Sequence, residues 1–240
     1  MTLRENEQIR LIGGTIGLIA EDEPGRPLDA SLERAKHDGF EIDGCIHQSD
    51  AFGVCRGATE SGLEVIIKHP SGRGDQRQKA AAQLRDEYQA LSSIRHDAVV
   101  QVVSYVAGET GYLATVFEGD RDLTEWARAT KPDRQALAEM LMRVVASVSV
   151  LHEAGLVHGD LKPQHVVIRD DGSPVLIDFG LTERWRDIDR SIQTSHRIGG
   201  TSHYMAPEIA DSRVTRPDPS QACTRAGRSS GRRSKPRAAR

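Results

Sequence analysis

His158-Gly159-Asp160-Leu161-Lys162-Pro163-Gln164-His165 and, ten residues later, Val175-Leu176-Ile177-Asp178-Phe179-Gly180 are the two stretches on which the fold of this 240-residue chain turns. The first places a carboxylate, Asp160, two residues before an amine, Lys162, ahead of a proline that stops regular structure. The second ends a β-branched, apolar run on a carboxylate, Asp178, beside a flexible glycine. Asp170-Asp171-Gly172 between them is a hairpin signal, joining short strands at Val166–Ile168 and Val175–Ile177.

Upstream, the pattern is that of a sheet. Phe40 to Ile46, Phe52 to Gly57 and Leu63 to Lys68 read as three strands, and Val99 to Val106 and Tyr112 to Phe117 as two more. One helix interrupts them, from about Arg77 to Arg95, with Leu84, Tyr88, Leu91 and Ile94 at the 3.6-residue period. Glu87 lies one turn from both Leu84 and Leu91, so it points toward that apolar face. Lys68 ends the run Val65-Ile66-Ile67-Lys68, 19 residues before Glu87. Downstream, Leu137, Leu141, Val144, Val148 and Leu151 form the clearest amphipathic stripe in the chain, and Gly155 ends that helix.

A third block follows the hairpin: Gly200-Thr201-Ser202-His203-Tyr204-Met205-Ala206-Pro207-Glu208. In their order, Lys68, Glu87, the Asp160 loop, Asp178-Phe179-Gly180 and Ala206-Pro207-Glu208 resemble the eukaryotic-type protein kinase domain of Ser/Thr specificity. The similarity runs from about residue 40 to 210, and extends to bacterial kinase domains fused to ATPase and histidine-kinase sensor proteins. It implies an α+β, two-lobed kinase-like fold. A small five-stranded sheet lobe with one helix would span 39–118, and an incomplete helical lobe 119–210. Residues 1–38 are an N-terminal extension of unknown role, in which Ser31 to Lys36 reads as one or two helical turns.

The resemblance implies ATP and Mg2+ as cofactors, and protein substrates. By it, Lys68 holds the α- and β-phosphates and Glu87 fixes that amine, while Gly53 and Val54 belong to the glycine-rich loop over the nucleotide. Asp160 orients or deprotonates the attacking hydroxyl, Lys162 neutralises the γ-phosphoryl group, and Asp178 binds metal. His165 stands where the family has a metal-binding asparagine. Magnesium prefers hard oxygen ligands, so the resemblance leaves two readings: one metal held through Asp178, or impaired catalysis. Three further departures are Gly159 for the usual arginine, Ile66 for a small residue, and a loop from Ile46 to Val54 with one glycine. The alternative implied is a catalytically impaired kinase-like module that binds nucleotide or a partner. Thr182, Ser191, Thr194, Ser195 and Thr201 are candidate phosphoacceptors.

Only 32 residues follow Glu208, and none of the helices that complete the family's helical lobe is legible among them. A kinase domain truncated after Ala206-Pro207-Glu208, by frameshift or truncation near Ser212, is the expectation. The net charge of −3 conceals an acidic body and a tail, 211–240, with nine Lys/Arg against two Asp. That tail is predicted disordered. No aromatic or fold element accompanies its charge, so no specific nucleic-acid partner is expected. The longest early apolar stretch, Ile9 to Ala20, is too short and interrupted to span a bilayer, so neither membrane nor signal peptide is expected. Three cysteines without CxxC spacing predict a reduced, cytoplasmic protein.

Overall fold

The computed structural model describes residues 10–11, 14–15 and 29–184. Arg10–Leu11 (β1) and Gly14–Thr15 (β2) form a short antiparallel ladder. The main sheet has five antiparallel strands in the order β3-β4-β5-β7-β6: β3 (Phe40–Gln48), β4 (Phe52–Thr59), β5 (Glu64–Pro70), β6 (Val102–Val106) and β7 (Tyr112–Val116). The α+β fold with a five-stranded sheet lobe is thus as the sequence predicts.

Side-chain alternation along β5 explains how this sheet serves two purposes. Val65 and Ile67 are fully buried on one face, while Ile66 and Lys68 turn to the other, where a cavity lies. Helix α1 (Ala30–His37) covers the first face, where Leu32 and Ala35 pack with Phe40, Val65, Ile67 and Tyr112. Each such large apolar side chain contributes roughly 1.5–3 kcal/mol on burial. The chain ahead of the sheet therefore forms a full helix rather than a loose turn. It is pinned at its start: Asp29 caps α1 by accepting from the Ser31 N–H at 2.9 Å. The same carboxylate receives both guanidinium nitrogens of Arg77, at 2.8 and 2.9 Å, from helix α2 (Asp75–Ser92).

Cys45 and Cys55 are direct cross-strand partners in the β3–β4 register, and the structure joins them in a disulfide. This corrects the expectation of reduced thiols at these two positions. Spacing along the chain gives no hint of the bond, because antiparallel pairing and not sequence separation brings the two together.

On the cavity side, α2 contributes Leu84 and Leu91 to a core that continues out of the sheet. That core takes in α4 (Arg134–Glu153), β8 (Leu156–Val157) and the hairpin β9 (Val166–Ile168) and β10 (Pro174–Leu176). Before α4, the short α3 (Leu123–Thr130) is capped by Asp122, which accepts from the Glu125 N–H at 2.8 Å. Asp133 caps α4 in the same manner through Ala136. The buried face of α4 is Met140, Val144, Ser147, Val148 and Leu151. Leu137 is exposed and Leu141 half-buried. The apolar stripe thus begins later than its periodicity suggests.

Val99 and Val100 are buried but do not extend β6. Val99 bridges Leu176 in parallel, and the Val100 N–H donates to the Leu176 carbonyl at 3.0 Å. This segment ties the sheet to the hairpin that carries Asp178. A 3-10 turn, Pro163–His165, precedes β9, and β11 (Glu183–Arg184) pairs with β8. The Ala206-Pro207-Glu208 block, Thr201, Ser191, Thr194, Ser195 and the tail lie outside the described residues. No helix among the described residues is long and apolar enough to cross a membrane.

Candidate active site

Between the sheet and the β9–β10 hairpin lies a cavity of about 370 Å³. Ile46, Val54 and Ile66 line it from the sheet, and Val167 and Ile177 from the hairpin side. One end is polar, formed by Lys68, Glu87, His165 and Asp178. Volumes of roughly 300–1,000 Å³ with apolar walls and a few convergent polar groups are typical of small-molecule sites.

Lys68 is at the centre of the polar end. Its Nζ donates to Glu87 Oε2 at 2.8 Å and to Asp178 Oδ1 at 3.1 Å. These partners are 19 and 110 residues away in sequence. The Lys68 side chain is 18% exposed and that of Glu87 5%. Burial alone would lower the Lys68 pKa, but Asp178 and Glu87 together outweigh it and hold the amine above its ordinary range. Burial pushes Glu87 up, against the pull of Lys68. The Lys68 charge holds Asp178 well below the usual carboxylate range. The other oxygen of Glu87, Oε1, accepts the Phe179 N–H at 3.2 Å. Phe179 is buried in the core with Leu84 and Leu91, and Gln83 Nε2 donates to the Gly180 carbonyl at 3.0 Å. Helix α2 therefore holds the Asp178-Phe179-Gly180 turn through two side chains that grip its backbone.

Asp178 has φ 59°, the left-handed region that non-glycine residues seldom adopt. Such conformations persist where the surroundings over-determine them, and they cluster at functional sites. Its Oδ2 lies 3.2 Å from His165 Nε2, while His165 Nδ1 is 2.9 Å from the Asp160 backbone oxygen. Burial brings the His165 pKa down to about 4. Asp160 accepts from Lys162 Nζ at 2.9 Å. Behind them, buried His158 contacts the Ile177 carbonyl through Nε2 at 3.1 Å and packs on the Phe179 ring at 5.1 Å, a supporting position. Thr182 Oγ1 donates to the His158 carbonyl at 3.3 Å.

The structure thus brings Lys68, Glu87, Asp178 and His165 to one end of the cavity, with Asp160 and Lys162 adjoining through His165. Val54 lines the cavity. Gly53 instead faces His69: a Cβ there would collide with the imidazole. Its neighbour Phe52 does enter the cavity, and the ring centroid lies 4.9 Å from Lys68 Nζ. Gly159 has φ 81°, and a Cβ there would run into the Leu181 carbonyl. The backbone geometry, and not only a lost arginine, accounts for glycine at this position.

Sequence reasoning missed Phe52, Thr115 and Glu118 as cavity residues. Thr115 could have been found from strand pairing, since it is the cross-strand partner of Ile66. The Glu118 side chain is 6% exposed and accepts from Arg169 Nε at 2.6 Å, a contact across 51 residues with no local signal.

Comparison with known proteins agrees with this geometry. The family model described as "Protein kinase domain" matches residues 50–220. Serine/threonine-protein kinase PAK 4 of Mus musculus is 27% identical over 150 residues, 62% of this chain and 24% of that protein. Serine/threonine-protein kinase AtPK1/AtPK6 of Arabidopsis thaliana is 34% identical over 131 residues, 54% of this chain and 27% of that protein. A probable serine/threonine-protein kinase of Streptomyces coelicolor is 28% identical over 163 residues, 63% of this chain and 24% of its own length. The chain therefore spans about a quarter of the length of the curated relatives it matches.

Proposed function

Because this chain belongs to the protein kinase domain family, we propose that it transfers the γ-phosphoryl group of ATP to serine or threonine hydroxyls of protein substrates. The observation that carries this reading is the Lys68 amine, held 2.8 Å from Glu87 and 3.1 Å from Asp178 at the polar end of the cavity. The cavity's size and apolar walls suit a nucleotide base, with Val54 on the sheet side and Gly53 shaping the adjoining loop. Lys68 acts as a point charge for the α- and β-phosphates, and Glu87 keeps it aimed.

Asp178 suits a metal-binding role, since Lys68 keeps it ionised and its strained backbone is fixed by neighbours. A divalent ion, Mg2+ in this family, would be held by Asp178 and His165 and would offset the phosphates' negative charge. Asp160 orients the attacking hydroxyl and accepts its proton. Lys162, already against Asp160, places positive charge where the γ-phosphoryl group passes. In this reading 39–118 form the nucleotide lobe, 119–210 contribute the substrate side, and 1–38 and 211–240 flank them.

A second reading is a module that binds nucleotide without turnover. Two observations favour it: the Phe52 ring over the Lys68 amine and an imidazole at position 165. Radiolabelled ATP with a generic protein substrate separates the two. Transfer abolished by Asp160→Asn, with an unchanged melting temperature, is the result expected of a kinase. Binding of Mg-ATP in a thermal-shift titration, with no transfer by the wild type, establishes the second reading. Transfer unaffected by Asp160→Asn sinks the first.

A further inference from the structure

The pair His165–Asp178 presents an arrangement that neither residue makes sense of alone. His165 Nδ1 stands 2.9 Å from the Asp160 carbonyl oxygen, which can only accept. Nδ1 therefore carries the proton, and Nε2 of the neutral ring offers a lone pair. That lone pair meets Asp178 Oδ2, another acceptor, at 3.2 Å. Two acceptors at this distance repel unless a cation lies against both, either the second proton of an imidazolium or a metal ion. The His165 side chain is 8% exposed and that of Asp178 43%, so the pair opens to solvent on the Asp178 side only. Reversing the tautomer only transfers the conflict to the Asp160 carbonyl.

The separation has a chemical reading. Neighbouring ligands on an octahedral ion, each about 2.1 Å from it, stand about 3 Å apart. His165 Nε2 and Asp178 Oδ2 have the spacing of one octahedral edge. The backbone carbonyl behind Nδ1 is also the partner that fixes the tautomer of metal-ligating histidines. Among the described residues no group of three or more His, Cys, Asp or Glu side chains could hold an ion, so the remaining ligands would come from phosphate and water. Mg2+ prefers oxygen throughout, whereas first-row transition ions accept an imidazole nitrogen beside carboxylate.

We infer that His165 and Asp178 form a mixed nitrogen–oxygen edge that selects a first-row transition dication over Mg2+ as the nucleotide's companion ion. The inference rests on the nucleotide-binding reading above and deepens it, by assigning the metal class to one side chain. Mn2+ is the most weakly bound of its series, so discrimination measured with it is a lower bound.

The experiment uses the full chain, a non-hydrolysable ATP analogue and either Mn2+ or Mg2+. Pulsed electron paramagnetic resonance of the bound Mn2+ should show a directly coordinated 14N nucleus that becomes 15N when the protein is uniformly 15N-labelled. The ratio of Mg2+ to Mn2+ dissociation constants, by calorimetry, should fall about tenfold in His165→Asn. Bound Mn2+ without protein nitrogen coupling overturns the inference while leaving nucleotide binding intact. So does a metal preference that His165→Asn leaves unchanged. Failure of the analogue to bind with either ion overturns both this inference and the reading beneath it. The coupling is measured on the wild type, so a variant that does not fold cannot obscure the outcome.

Discussion

Replacing Lys68 with methionine tests whether the Lys68–Glu87–Asp178 cluster is held together by charge. Methionine keeps most of the unbranched stem, so packing changes little. What is lost is the cation between Glu87 and Asp178. Glu87, at 5% exposure, cannot remain charged beside another carboxylate without large cost, and takes up a proton instead. Its ordinary pKa is 4.5, so holding that proton at pH 7 costs about 3 kcal/mol at about 1.4 kcal/mol per unit. For a chain of this size 1 kcal/mol corresponds to about 2–4 °C, so the melting temperature should fall by about 6–12 °C at pH 7. The sign follows from linkage. A carboxylate whose folded pKa is raised is penalised progressively as pH rises above its unfolded value, and not at all below it. The difference between variant and wild type should therefore shrink to about 1–3 °C at pH 5, where the proton costs under about 1 kcal/mol. Circular-dichroism melts of both proteins at pH 7, 6 and 5 measure it. A gap that is absent at pH 7, or equal at pH 7 and 5, would refute the electrostatic account.

Two other substitutions probe parts of the structure that resemblance alone would misjudge. Restoring the family's arginine by Gly159→Arg should destabilise, because a left-handed backbone costs an L-residue about 1–2 kcal/mol before the clash with Leu181 is added. A melting temperature lower by at least about 4 °C is expected, and an unchanged or higher one contradicts the backbone argument. Asp29→Asn should loosen α1, since Asp29 binds the Arg77 guanidinium through both oxygens. Burial would raise the Asp29 pKa, but Arg77 and the Ser31 N–H outweigh it and bring it down to about 2. Its stabilisation is thus present above its ordinary value of 3.8 and lost as pH falls toward 2. Urea melts should show the variant weaker by about 1–3 kcal/mol at pH 6, with the gap closing between pH 4 and 2; a gap independent of pH removes the carboxylate from the explanation.

The features readable from sequence are those set by local period. Alternation along Val65-Ile66-Ile67-Lys68 puts Lys68 on the cavity face, and the helical period puts Glu87 beside Leu84 and Leu91. The 19-residue interval then lets the two meet at 2.8 Å. Contacts fixed by register or by lobe packing have no such signature. Asp29 and Arg77 are 48 residues apart, and Gly53 needs its missing Cβ only because His69 sits opposite it in the β4–β5 register. Val99 and Val100 have strand-like composition, but their backbone partner is Leu176 and not the neighbouring strand.

The same distinction explains why the site is assembled as a unit. Glu87 holds Lys68 with one oxygen and the Phe179 N–H with the other, so the helix fixes strand and hairpin at once. Gln83, one turn earlier on α2, binds the Gly180 carbonyl, and Val100 binds the Leu176 carbonyl just before Asp178. Lateral movement of α2 would loosen Lys68, Phe179 and Gly180 together. Asp178 in its strained conformation would then lose the backbone and side-chain contacts around it. The position of one helix against the sheet therefore governs whether the Lys68 amine and the Asp178 carboxylate stay together at one end of the cavity. Individual residues could be recognised from sequence; their interdependence arises from contacts that cross between the sheet and the hairpin.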